Sequence, residues 1–309
     1  MSRFAVGIVC ALVGAVCWGF SGTCAQYLFT HYEISSFPIT VVRSAGAGAL
    51  FLLVLLVKQR PRLKALLEEP AAVRRVVLFG CAGVYTAQIF YLVCIDYTNA
   101  GTATVLQALN VVFVLLIVCV TARRLPRPLE LMAIVLAFLA TALIATKGDF
   151  GSLQVSALGL AFGVLSAGAA TFYVVYPKRL FEEWGSLPVT GLGMVVSGVM
   201  AIVVFAVVSA AWMLTGGQVG VQPELPVLGA DGIVVLVLIV VVGTFGSYGL
   251  YLHGVSIVGG VKGSLLGTAE PVSATVIATL WLGTAFSWAD WVGMVLMIVT
   301  VFIVSLQKK

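Results

Sequence analysis

The sequence predicts an all-α integral membrane protein with ten transmembrane helices in two inverted five-helix repeats. Three observations carry this. The chain of 309 residues is 61% hydrophobic and only 9% charged, with a mean hydropathy of +1.14. A soluble domain is about 45–50% apolar and about 25% charged, so there is too little charge here to cover a soluble surface. The same figures exclude a disordered chain, collagen, a coiled coil and a basic nucleic-acid-binding domain. The second observation is a series of ten apolar segments, each near the roughly 20 residues that cross a bilayer. The third is a one-sided distribution of Lys and Arg over the turns between them.

The segments are bounded by clusters of charge or of Gly and Pro. The first, Phe4–Tyr27, is too long for a cleaved signal peptide and lacks a small-residue cleavage site, so it is expected to stay in the mature protein. Ser35–Val57 stops at the charges that begin with Lys58, and Val73–Cys94 starts beyond Glu68, Glu69 and Pro70. Only the junction Asn99–Gly101 separates that segment from Thr102–Val120. Beyond Arg123, Arg124 and Arg127, Leu129–Thr146 completes the first five. The second five are Ala157–Tyr176, Pro188–Leu214, Gly232–His253, Gly263–Leu282 and Trp288–Leu306. At Gly259–Gly260 and Thr284–Ser287 neighbouring helices again nearly fuse.

With the N-terminus inside, the inner side receives Arg3, Lys58, Arg60, Arg62, Lys64, Arg74, Arg75, Arg123, Arg124, Arg127, Lys178, Arg179, Lys262, Lys308 and Lys309. The outer side receives Lys147 alone, and Arg43 lies within a helix. This bias predicts a multi-pass protein of the plasma (inner) membrane with both termini cytoplasmic. It also accounts for the net charge of +5 without a nucleic-acid partner. Cys10, Cys17, Cys24, Cys81, Cys94 and Cys119 all lie in apolar runs and read as small packing residues, not as a disulfide or metal set.

The chain also resembles itself. Gly83–Tyr85 (Gly-Val-Tyr) faces Gly243–Phe245 (Gly-Thr-Phe), and Tyr91-Leu92 faces Tyr251-Leu252, at a constant offset of 160. The same offset sets Leu106 against Leu266, Asn110 against Glu270 and Val112 against Val272. Earlier, Phe37–Thr40 faces Leu187–Thr190 at an offset of 150. The expected division is one five-helix repeat over 1–152 and a second over 153–309. An odd number of crossings inverts the second copy, an arrangement common in secondary transporters, with a site near the midplane between the halves.

Four stretches resemble the EamA-type family of the drug/metabolite transporter superfamily. They are GAVCWGFSGT (Gly14–Thr23), PITVVRSAGAGALFLLVLL with Pro38 and Arg43, YTNAGTATVLQALNVVF at the third junction, and TAEPVSATVIATLWLG with Glu270-Pro271. The resemblance covers essentially the whole chain. It implies secondary transport of a small organic metabolite, amino acids or related compounds, by export through alternating access. An importer or facilitated uniporter is the alternative within transport. A non-transporting sensor or assembly protein is the alternative outside it, and the loops Lys58–Arg75 and Thr215–Asp231 are too short for the soluble segment that role requires.

Glu270 leads the candidate residues. A charged side chain at mid-membrane costs about 2.5–3.5 kcal/mol on insertion scales, so it is expected to face a cavity or a partner. Pro271 removes a backbone donor and frees the carbonyl of Gly267, which predicts a kink beside a carboxylate. Such a site suits a proton, a cation or a substrate amine, so Glu270 is the candidate coupling residue as well; a hydrogen bond to a neighbouring helix is the alternative. Gly263, Gly267, Glu270 and Ala274 share one stripe, matched in the first repeat by Ala103, Gln107 and Asn110.

Arg43, about two turns into its helix, either binds a substrate carboxylate or snorkels outward. Trp18, Tyr85, Gln88 and Tyr91, with Tyr173, Tyr248 and Tyr251, are candidates for an amphipathic lining, against ordinary packing. Ser21, Thr171 and Ser247 read equally as helix–helix hydrogen bonders, and His253 as an edge residue. The pairs Gly159/Gly163 and Gly263/Gly267 read as intramolecular close-packing motifs. No H-E-x-x-H, G-x-S-x-G or P-loop occurs in the chain. A non-enzyme with no cofactor and no metal is therefore expected, acting as a monomer on a small molecule within membrane lipid.

Overall fold

The computed structural model describes residues 2–218, 220 and 226–306, with the backbone alone at 260–262, 264 and 306. Lys308 and Lys309 of the charge count lie outside the described residues. Among the described residues, ten helices are long and apolar enough to cross a membrane. They are α1 (Arg3–Tyr32), α2 (Ser36–Lys58), α3 (Pro70–Tyr97), α4 (Ala100–Thr121), α5 (Pro128–Thr146), α6 (Ala157–Trp184), α7 (Ser186–Leu214), α8 (Ala230–Val258), α9 (Leu265–Leu282) and α10 (Trp288–Ser305). Helices α1, α3, α6 and α8 outrun their sequence-based limits by a turn or more, because apolar windows miss polar ends such as Thr30–Tyr32 that remain helical. A short helix, Arg60–Leu67, joins α2 to α3 and buries Leu63 and Leu66.

Besides α6, which breaks at Tyr176–Pro177, four of the described spans are interrupted, and these interruptions match at the offset of 160. In α3 the stretch Phe79–Tyr85 is a π-helix, and in α8 so is Val241–Gly246. Gly80 and Gly243 permit these wide turns to press on neighbours: a Cβ on Gly243 would reach the Ser21 side chain, and one on Gly80 would lie 2.8 Å from the Gly193 carbonyl of α7. The first helical piece of α4 ends at Gln107 and the second starts at Asn110. In α9 the pieces are Gly260–Gly267 and Ala269–Leu282. There Pro271 sits in the first turn of the second piece, where a missing N–H is tolerated, and Thr268 turns its N–H onto the Leu265 carbonyl (3.2 Å). Instead of one kinked helix at Pro271, α9 is therefore two pieces joined at Thr268. The matching break in α4 has no proline.

The packing repeats too. Helix α2 lies along α7, α5 along α10 and α4 against α9, while α1 pairs with α8 and α3 with α6. Exchanging each helix for the one five later returns the same set. The contacts are close because small residues face one another. A Cβ on Gly254 would lie 2.6 Å from the Gly7 carbonyl, and one on Gly198 would lie 2.8 Å from Ala45 Cα. Gly159 meets Tyr97 and Thr98, and Gly163 meets Leu106 and Cys94, so this pair packs within the chain. All six cysteines are free.

The turn between α4 and α5 is held by Glu130, which accepts two hydrogen bonds from Arg124 (2.6 and 2.7 Å) and one from the Arg127 N–H (2.7 Å). Outside the spans, this carboxylate holds the Arg124 guanidinium above its ordinary pKa. At the offset of 160, Asp290 plays the same capping part in α10, accepting from the Ser287 N–H at 2.7 Å. It also takes Lys147 at 2.6 Å, tying the end of α5 to the start of α10. The arginine- and lysine-rich turns define a basic end of the bundle, and Lys147 and Asp290 lie at the opposite end.

Candidate functional site

Arg43 is buried within α2 and does not snorkel. Its Nε donates to Thr244 Oγ1 at 3.0 Å. Thr244 is presented by the π-helical turn of α8, and its own hydroxyl returns to the Ile239 carbonyl five residues back (2.9 Å). Arg43 Nη1 is buried with no hydrogen-bond partner. A buried charged donor left unpaired is costly.

Glu270 opens the second piece of α9 and is half-buried. Its carbonyl accepts from Ser273 Oγ (2.9 Å), while its carboxylate makes no hydrogen bond or ion pair among the described residues. The carboxylate lies within electrostatic reach of Arg43, and also of Tyr91, Tyr248 and Tyr251. The two charges are thus neighbours without being a salt bridge.

The aromatic residues divide into two groups. Trp18 meets Tyr248 edge-on (5.0 Å, 82°) and lies tilted over Tyr251 (4.7 Å). Tyr173 extends the cluster to Tyr248 on one side (6.1 Å) and Phe79 on the other (5.5 Å). Tyr251 donates to the Gly263 carbonyl at 3.1 Å, and its hydroxyl would lie 3.0 Å from a Cβ on Gly267. The glycine stripe of α9 therefore makes room for this tyrosine, while Ala274 further along packs on α1. Tyr91 places a buried hydroxyl with no partner close to Gly22.

The structure does not bring the remaining candidates to this cluster. Tyr85 packs with Ile89, Val93 and Ala201 in a separate core. Gln88 is fully engaged between helices, accepting from Ser44 Oγ (3.3 Å) and donating to Met194 Sδ (3.4 Å). Gln107 donates to Ser166 Oγ at 2.7 Å, and the Asn110 carbonyl accepts from Thr171 Oγ1 at 3.3 Å. His253 is exposed. Thr244 is the contact that sequence reasoning passed over; the Gly-Thr-Phe match contained it, but nothing in the repeat marked a π turn. Gln26 was passed over too. It accepts from the Ala100 N–H (2.9 Å) and donates to Thr284 Oγ1 (2.8 Å), latching α1, α4 and α9 together at the opposite end.

The model of the EamA-like transporter family matches residues 5–146 and, a second time, 157–306. The chain belongs to the EamA-like transporter family. It is 32% identical over 303 residues to a Salmonella typhimurium protein named as an uncharacterised inner membrane transporter, YicL, covering 98% of this chain and 96% of that one. An Archaeoglobus fulgidus protein named as an uncharacterised transporter is 24% identical over 182 residues, 59% of this chain and 61% of its own. A solved crystal structure superimposes with a TM-score of 0.60 at 16% identity, covering 98% of this chain and 95% of that one, and so shares the fold. As an EamA-like protein, the chain is a membrane transporter.

Proposed function

We propose that this transporter exports small zwitterionic metabolites, amino acids or close relatives, by alternating access of its two repeats, with Glu270 coupling the movement to a proton or to the substrate ammonium. One observation carries the reading. A buried guanidinium nitrogen without a partner and a carboxylate without a partner stand in the same electrostatic neighbourhood yet do not neutralise each other. A substrate carboxylate on Arg43 and its ammonium on Glu270 supply both missing partners, as charge-assisted hydrogen bonds. Tyr91, Tyr248 and Tyr251 lie within electrostatic reach of Glu270, and Trp18 packs on the last two. The interrupted helices support the same reading, since broken spans present backbone ends at transporter midplanes. The alternating movement is a rocking of 1–152 against 153–309 in a monomer, and the Gln26 latch closes the end opposite the basic turns.

Counterflow in proteoliposomes tests it. A panel of amino acids should exchange, whereas each matching amine without the carboxylate, and each acid without the amine, should exchange at least about tenfold more slowly, the loss expected from one charge-assisted hydrogen bond. Equal exchange of a singly charged analogue removes the zwitterion. Both termini are assigned to the cytoplasm on the strength of the charge bias. A cysteine placed at Gln154, exposed at the opposite end, is expected to react with an impermeant reagent applied outside cells, and one at exposed Arg62 only after permeabilisation; the reverse pattern overturns the orientation and the inverted-repeat argument with it.

A further inference from the structure

A cavity of about 360 Å³ opens at the opposite end between α1, α8 and α9, lined by neither Glu270 nor Arg43. Asp231 stands at its rim in the first turn of α8, and Val234, Val235 and Leu238 continue the same wall inward. At 1.5 Å per residue this stripe descends about 10 Å from headgroup level into the apolar layer. The other wall is a three-ring stack. Trp281 of α9 lies parallel to Tyr27 (5.3 Å, 12°) and to Phe20 two turns deeper on α1 (6.0 Å, 18°). Val234 and Trp281 are exposed, so the groove faces lipid.

Among its lining residues the only charged one is Asp231, and its charge is negative. Tyr27 and Tyr32 both donate their hydroxyl hydrogens to Asp231 Oδ2 at 2.7 Å. These hydroxyls offer an anion nothing. Asp231 forms no ion pair among the described residues, and Lys147 at this end is held by Asp290. A carboxylate at the rim of an apolar groove attracts a cationic head and repels an anionic one. The ring stack sharpens the choice. Trp281 is stacked against two rings, so it builds no open cage for a quaternary ammonium, which depends on ring faces. A primary ammonium, in contrast, donates hydrogen bonds directly to the carboxylate.

We propose that this groove is a binding site for a membrane lipid with a primary ammonium headgroup of the ethanolamine type. The ammonium sits on Asp231 and the upper acyl chain runs along Val234, Val235 and Leu238. This site is separate from the Arg43–Glu270 cluster and stands whether or not the substrate is a zwitterion.

Thermal unfolding of the delipidated full chain in mild detergent tests it, with phosphatidylethanolamine, phosphatidylcholine and phosphatidylglycerol added in turn. A ligand bound only by the folded state raises the midpoint by mass action, here by about 3–5 °C for the ethanolamine lipid and by under about 1 °C for the other two. Asp231→Asn is expected to abolish the ethanolamine-specific rise, and Leu238→Trp, which fills the groove, to abolish it independently. Equal rises with all three lipids, or an ethanolamine-specific rise that survives Asp231→Asn, overturn the proposal. If Asp231→Asn does not fold, Leu238→Trp decides: loss of the specific rise supports the site and its retention overturns it.

Discussion

Glu270→Gln is expected to leave the protein folded and monodisperse while lowering transport about 10- to 100-fold. Folding survives because the carboxylate holds no hydrogen bond in the structure that glutamine would have to replace. Glutamine also keeps the volume and spares the cost of carrying a charge into the membrane. Transport suffers because a neutral amide offers the substrate ammonium an ordinary hydrogen bond in place of a charge-assisted one. That difference of about 1.5–3 kcal/mol corresponds to one to two powers of ten. A residue that also carries a coupling proton adds a second signature: the variant's remaining flux should no longer respond to an imposed pH gradient. Proteoliposome flux measured across a pH series reads both effects. Wild-type flux with an unchanged pH profile would show that Glu270 serves structure alone, and the recognition site would then contract to Arg43 and the aromatic cluster.

The second large effect lies at Gly19, in backbone contact with the same piece of α9 that carries Glu270. A Cβ built there would fall 2.5 Å from the Glu270 carbonyl and 2.7 Å from the Ala274 nitrogen, and would overlap Ser273 Oγ. Ser273 can turn away, but the two backbone atoms cannot. The α1–α9 contact is reinforced one turn on by Thr23, whose hydroxyl donates to the Ala274 carbonyl at 3.3 Å. Gly19→Ala is therefore expected to force the helices apart and cost about 1–3 kcal/mol. It should also displace Glu270, so transport falls even where the variant folds. Removing the movable obstacle in Gly19→Ala/Ser273→Ala should restore little. Gly249→Ala, at a helical glycine with no atom within 4 Å of the added Cβ, is the control and should melt and transport like the wild type. A Gly19→Ala protein with unaltered melting and flux would mean that α1 and α9 are not in contact as described.

How much of this was legible in the sequence differs from residue to residue. The ten spans and the basic end could be read directly, because hydropathy and charge are local, additive properties of a window about 20 residues long; the kink expected at Pro271 proved to be a break at Thr268. The repeat could be read as well, and its offset of 160 relates both π turns and both interrupted helices, although neither kind of irregularity was visible in the sequence itself. The partners of each side chain could not. A helix surrounded by lipid is apolar on every face, so the periodicity that separates core from surface in a soluble helix is missing. Nothing in the sequence distinguished Tyr248, which meets Trp18, from Tyr85, which packs in another core.

The sequence by itself thus determined that this protein lies in the membrane as two related halves, with one carboxylate and one guanidinium set within spans where charge is expensive. Only the tertiary structure decided which groups those charges face. Arg43 reaches Thr244 because a π turn rotates that hydroxyl out of α-helical register, and the α9 backbone at Glu270 lies against α1 because Gly19 has no Cβ to hold it off. Both outcomes depend on close approach between segments about 200 residues or more apart in the chain, a property of pairs of helices that no single window encodes.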